Sequence, residues 1–225
     1  MRILEEGFWP QYCLEDITWL ESPNKISKMA CPMVCFCDIP ISRLHQHTTT
    51  YGNYGIGLCR NEWSEHDLNP VFYISPYSKV RALLGELLIE TGKNPNPRSR
   101  TLGMVTLANC KPLTDKISGK DFYSECEWRF LPWVEGVGDK NKFGFLMDEK
   151  SFRDDKIRNE ANVERRNDRM LLFRPEHVRY LLVSVKEDVP KLVNFIDTKM
   201  SGCTRLELDL LKTRIIVFDE ISGDL

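Results

Sequence analysis

The sequence predicts an α+β protein, a single domain over residues 1–225 built on a mixed, mostly antiparallel sheet. Three observations carry this expectation. Strand-like runs outnumber helix-like ones, and several of the links between them are shorter than the dozen or more residues that a βαβ crossover needs. Only one long run has strong helical periodicity. At 225 residues and 42% apolar, the chain is long enough to bury a large core.

The elements follow in order. Met1–Gly7 reads as the last turns of an amphipathic helix closed by a glycine. The start of that helix is missing, so the natural protein is expected to begin upstream. Residues 32–38 form a short buried strand, and residues 41–50, with His45 and His47, a short helix or turn. Tyr51–Leu58 is a glycine-punctuated turn into a strand, and 70–75 is another strand. Residues 77–91 are the best helix: Val80, Leu83, Leu84, Leu87 and Leu88 recur at helical spacing, with Ser75-Pro76 as entry and Gly92 as exit. A polar loop is expected over 92–100 and a strand with an apolar face over 101–110. The next expected strand lies within 122–133. Residues 146–169 crowd charges of both signs and read as a solvated helix or loop, an insertion in the domain. Strands at 171–173 and 178–185, a helix at 190–200 and a closing strand at 213–218 complete the chain.

Composition narrows the function. Thirty-one basic residues against 33 acidic leave a net charge of −2, which argues against a protein that coats nucleic acid, although nucleic acid as a substrate stays open. With no run of 18 apolar residues and no leader pattern, no membrane partner is expected and the location is expected to be cytoplasmic. The eight cysteines then read as reduced thiols.

The richest stretch for chemistry is 122–133. On a strand, Glu125, Glu127 and Arg129 project to one face and Cys126, Trp128 and Phe130 to the other, a core face. Two carboxylates about 7 Å apart beside a guanidinium can be poised for acid/base or electrostatic work. They can equally form an exposed sheet face whose charges pair across strands. A cleft made of Tyr51, Tyr54, His47, Arg60 and the Glu125/Glu127/Arg129 strand would offer aromatic rings to stack on a nicotinamide or base. Its carboxylate would hold a ribose hydroxyl or stabilise an oxocarbenium-like centre. The alternative is that both tyrosines are turn and edge aromatics covering the core. Cys31, Cys35 and Cys37 with His45 and His47 have poor zinc spacing, and no metal site is expected. No G-x-S-x-G, Walker A or G-x-G-x-x-G is present.

Several segments together resemble one family: Gly7–Asp16, Met33–Pro40, His47-x3-Tyr-Gly-Asn-Tyr-Gly-Ile-Gly-Leu58, Asn69-Pro70 and Phe122–Arg129. In that order they resemble the AbiGi family of bacterial abortive-infection (phage-resistance) proteins, over nearly the whole chain through the Arg-Ile-Ile-Val-Phe strand. The resemblance implies the antitoxin-like half of a defence pair whose other half is a nucleotidyltransferase-like toxin. A partner toxin or antitoxin, or a phage-derived factor, is therefore expected.

The order of histidine-containing segment, aromatic strand and Glu-x-Glu strand is also similar to ADP-ribosyltransferases. That similarity implies an ADP-ribosyltransferase-like fold, NAD as substrate and transfer of ADP-ribose to a protein or nucleic-acid acceptor. Glu127 would then stabilise the ribosyl cation and Glu125 place the acceptor, or the reverse, with Arg129 beside them. Tyr51 and Tyr54 would clamp NAD, with His47 nearby. The family's upstream histidine segment has no counterpart before Met1. That departure favours the competing expectation, a non-enzymatic antitoxin.

Overall fold

The computed structural model describes residues 1–21, 27–60, 67–115, 119–132 and 143–223, with all their side chains except those of Pro97 and Asp168. Trp133, at the end of the expected strand, lies outside them. In chain order the helices are α1 (Arg2–Glu6), α2 (Leu44–Tyr51), α3 (Lys79–Lys93), α4 (Pro97–Ala108), α5 (Glu149–Arg153), α6 (Asp155–Asp168), α7 (Val189–Lys199), α8 (Arg205–Lys212) and α9 (Phe218–Ile221). The strands are β1 (Gln11–Asp16), β2 (Lys28–Cys37), β3 (Gly55–Leu58), β4 (Leu68–Pro70), β5 (Phe72–Ile74), β6 (Cys110–Pro112), β7 (Glu127–Phe130), β8 (Met147–Asp148), β9 (Val178–Val183) and β10 (Ile215–Val217). Among the described residues five of the seven strand pairings are antiparallel, which agrees with the α+β, mostly antiparallel expectation.

Where the sequence predicts one domain, the chain divides into two compact units. One comprises Met1–Phe8, Ile39–His66 and Leu171–Leu225, and the other Trp9–Asp38 and Asp67–Met170.

The unit built from Trp9–Asp38 and Asp67–Met170 holds the sheet β1-β2-β7-β4, with β8 also pairing β2. Proline placement fits this ladder. Pro32 lies opposite Tyr12, between the stretch of β2 that pairs β8 and the stretch that pairs β7, so its missing N–H removes no ladder bond. The backbone N–H of Tyr12 points away from β2 and donates to Asn162 Oδ1 at 2.8 Å. One sheet face, with Met29, Cys31 and Met33, packs on Leu84 and Leu88 of α3 and Met104, Leu107 and Ala108 of α4. The opposite face, with Tyr12 and Ala30, packs on Phe152, Ile157 and Ala161 of α5 and α6. Alternation along β1 and β2 assigns each residue to its layer.

Three expectations need correction in this unit. Residues 101–110 are helix α4 for most of their length, not a strand, and the loop expected at 92–100 shrinks to a few residues between α3 and α4. Asn96 starts the second helix, its side chain accepting from the N–H groups of Arg98 and Ser99 at 2.9 and 3.3 Å. Gly103 then lets α4 approach α3: a Cβ there would sit 2.2 Å from Thr91 Oγ1. The apolar stripe of α3 is narrower than its periodicity suggests, with Leu84 and Leu88 buried but Val80 and Leu83 46% and 61% exposed. The charged segment 146–169 forms a short strand and two helices, and one face of it is buried: Ala161, Asn162 and Arg165 lie in the interior. Asn162 also accepts the Trp9 indole N–H on its carbonyl at 2.7 Å.

The other unit is centred on the sheet β10-β9-β3, parallel between β10 and β9 and antiparallel between β9 and β3. Leu4, Val178, Leu181, Ile196, Leu208 and Leu211 form its core. Helix α8 opens with a reciprocal cap between Thr204 and Glu207. Of the glycines in the 51–58 motif, Gly57 has a packing role: a Cβ there would lie 3.0 Å from the Tyr180 ring. The strand expected at 171–173 is reduced to an isolated bridge between Phe8 and Leu171.

Candidate functional site

Strand β7 is shorter than the 122–133 stretch suggests because the chain turns before it. Tyr123–Glu125 is a 3-10 turn and Cys126 takes a left-handed conformation, φ 45°, so Glu125 does not share the strand with Glu127 and Arg129. Glu127 and Arg129 do share one face. It is a buried face, not the exposed one among the sequence expectations: their side chains are 10% and 0% exposed. Of the expected core face, Phe130 is buried, Trp128 half-buried and Cys126 off the strand.

Arg129 is engaged by every polar neighbour it reaches. Its Nε donates to Glu127 Oε1 at 2.7 Å, Nη2 to Glu15 Oε2 at 2.9 Å, and Nη1 to the Ala108 carbonyl at 2.5 Å. Lys111, on β6, donates from Nζ to Glu127 Oε2 at 2.8 Å and Glu125 Oε2 at 2.9 Å, and rests 4.6 Å from the Phe122 ring centroid. Lys111 therefore brings Glu125 and Glu127 together, as the sequence expects, but by a different route. Lys120 meets Glu125 Oε1 at 2.7 Å. Three carboxylates, Glu15, Glu125 and Glu127, thus face three cations, Lys111, Lys120 and Arg129. The backbone N–H of Glu127 donates to the Tyr73 hydroxyl at 2.7 Å.

The electrostatics follow from this pairing. Burial disfavours the Glu127 carboxylate, but the hydrogen bonds and charges of Arg129 and Lys111 outweigh it and hold the group at about 2. Burial likewise opposes the charges on Lys111 and Arg129, and the carboxylates around them hold both firmly protonated. Glu127, Lys111 and Arg129 are therefore all charged at neutral pH. A small hollow with room for about one water lies beside them among Glu15, Asp16, Trp19, Cys31, Cys110 and Arg129.

Glu15, Lys111, Lys120 and Tyr73 are the members that sequence reasoning missed. The signal for them was weak: Glu15 shares its strand face with Gln11 and Cys13, and Lys111 sits in Cys-Lys-Pro.

The proposed NAD-gripping residues lie in the other unit. His47 and Tyr51, four apart on α2, stack with centroids 4.3 Å apart. Tyr51 and Tyr54 are 57% and 65% exposed, so these rings do not cover a core. The Tyr54 hydroxyl donates to Asp188 Oδ2 at 2.8 Å, and Asp188 also accepts from Lys191. Arg60 follows β3 in the same unit. Of this second set, the structure joins His47 to Tyr51, while Tyr54 is tied to Asp188.

Cys31, Cys35 and Cys37 share one face of β2. Among the described residues, no group of three or more His, Cys, Asp or Glu side chains could hold a metal ion. No helix among them is long and apolar enough to cross a membrane.

Comparison with known proteins matches the sequence to one family. No solved structure matches the chain. It is 26% identical over 259 aligned residues to the abortive phage resistance protein AbiGi of Lactococcus lactis subsp. cremoris, covering 97% of this chain and 99% of that protein. The family model described as "Putative abortive phage resistance protein AbiGi, antitoxin" matches residues 6–184. The chain belongs to the AbiGi family of abortive phage resistance proteins.

Proposed function

We propose that this chain serves anti-phage defence as an antitoxin, a binding module that neutralises a partner toxin by contact. The observation that carries the reading is the state of Glu127. Its carboxylate is buried and both of its oxygens are held by Arg129 and Lys111, an arrangement that pins β6 and β7 together. A carboxylate so committed acts as a structural counter-charge. Releasing it to meet a substrate would leave Arg129 buried with part of its charge uncompensated. The family description as an antitoxin agrees with this role.

A second reading is NAD-dependent ADP-ribosyl transfer, on an ADP-ribosyltransferase-like fold. It is favoured by the meeting of Glu125 and Glu127 on Lys111, with Glu127 ionised at neutral pH as a group stabilising a ribosyl cation must be.

The test is expression with the toxin encoded alongside it. The antitoxin reading expects restored growth, co-purification of the toxin and no nicotinamide release from NAD, with Glu127→Gln still neutralising if folded. Nicotinamide release that disappears in a folded Glu127→Gln variant would overturn it in favour of transfer chemistry.

A further inference from the structure

Cys13 and Cys31 face each other directly across β1 and β2. The hydrogen-bonding phase of that pairing can be read from its end. Ile17 N–H donates to the Ser27 carbonyl at 2.9 Å, in the same register as the Cys13–Cys31 pair. Because bonded pairs recur every second residue, Cys13–Cys31 is a hydrogen-bonded pair, with Cα atoms about 5.5 Å apart. The outward-pointing N–H of Tyr12 agrees with this phase. Such a separation lies inside the range a disulfide spans, while a hydrogen-bonded cross-strand site forces its geometry and leaves the bond easily reduced. Both cysteines are free thiols on the same sheet face; Cys31 is buried and Cys13 half-buried.

We infer that Cys13 and Cys31 form a latent, reversible disulfide that a peroxide can close, stapling β1 to β2 beside the Glu15–Arg129 ion pair. Cys13 is the more accessible of the two and reacts first. Its thiolate attacks one peroxide oxygen, giving a sulfenic acid and releasing hydroxide, which takes up the thiol's proton as water. The Cys31 sulfur then attacks the Cys13 sulfur, expelling a second hydroxide that takes the Cys31 proton. Two thiols lose two electrons and hydrogen peroxide becomes two waters. Burial and the Glu15 charge push the Cys13 thiol up to about 11, and burial and the same charge raise Cys31 as well. The thiols therefore rest reduced and close slowly at neutral pH. The inference is independent of whether the chain is antitoxin or transferase.

The test is disulfide mapping on the full chain. Reduced protein is treated with hydrogen peroxide at mildly alkaline pH, its remaining thiols are alkylated, and tryptic peptides are identified by mass spectrometry. The expected product joins the Cys13 peptide to the Cys31 peptide through those two residues, with Cys35 and Cys37 alkylated, and a thiol reductant reverses it. The cross-link should vanish in Cys13→Ser and in Cys31→Ala, each checked for folding by circular dichroism. Cys13 and Cys31 both alkylated after other cysteines have been oxidised, or Cys13 joined to a different cysteine, would overturn the inference.

Discussion

Replacing Arg129 with methionine keeps most of the side-chain volume and removes the donor that Glu127, Glu15 and the Ala108 carbonyl share. A carboxyl carried from 4.5 to about 2 in the folded state contributes about 3 kcal/mol at neutral pH. Removing one partner of a buried ion pair typically costs about 3–5 kcal/mol, because the other charge stays behind. The two figures agree, so Arg129→Met is expected to lose about 3–4 kcal/mol in urea denaturation at pH 7. The pH dependence supplies a second check. Glu127 has a depressed folded pKa, so its contribution is present above about pH 4.5 and is lost as pH falls through about 2. In the variant Lys111 still holds Glu127 but the share supplied by Arg129 is gone, so the gap between wild type and variant should narrow across this window. A variant within about 1 kcal/mol of wild type at pH 7, or a gap unchanged between pH 5 and about 2, would refute the view that this pair supports the fold.

Other contacts give smaller expected effects. Gly103→Ala places a Cβ 2.2 Å from buried Thr91 Oγ1, so α3 and α4 must separate, at a cost of about 1–3 kcal/mol by thermal melting. Asn162→Leu leaves the Tyr12 N–H on the edge of β1 without its acceptor. It should cost about 1–3 kcal/mol and speed hydrogen exchange at that amide. Asn96→Ala removes the cap of α4 and should cost about 1 kcal/mol in chemical denaturation.

The legible parts of the chain were those in which local pattern and burial coincide. Helix α3 was expected at 77–91 and occupies Lys79–Lys93, and α7 was expected at 190–200 and occupies Val189–Lys199, because leucine and isoleucine spacing marks a face that neighbours do cover. Helix α4 was misread because its sequence has little one-sided apolar character. Its helical state depends on the Asn96 cap and on Gly103 fitting against Thr91 of α3. The face of α6 that carries Ala161, Asn162 and Arg165 was hidden among charges for a similar reason. Asn162 is buried there because Tyr12, 150 residues away in sequence, needs an acceptor.

The candidate site shows the same division. That Glu127 and Arg129 act together followed from strand alternation alone, which points residues two apart to the same side. By itself the sequence determined the α+β class, strands β3, β5, β7, β9 and β10 with part of β2, and the motifs that carry the family; β1, which pairs along β2, was not foreseen. Tertiary structure decided that the charged face is buried rather than exposed. The partners that make burial tolerable are distant in sequence: Glu15 lies 114 residues from Arg129, and Lys111 comes from a different strand. Alternation and periodicity are properties of neighbours along the chain. The desolvation of a charge, and its compensation, depend on which groups the fold brings within hydrogen-bonding distance.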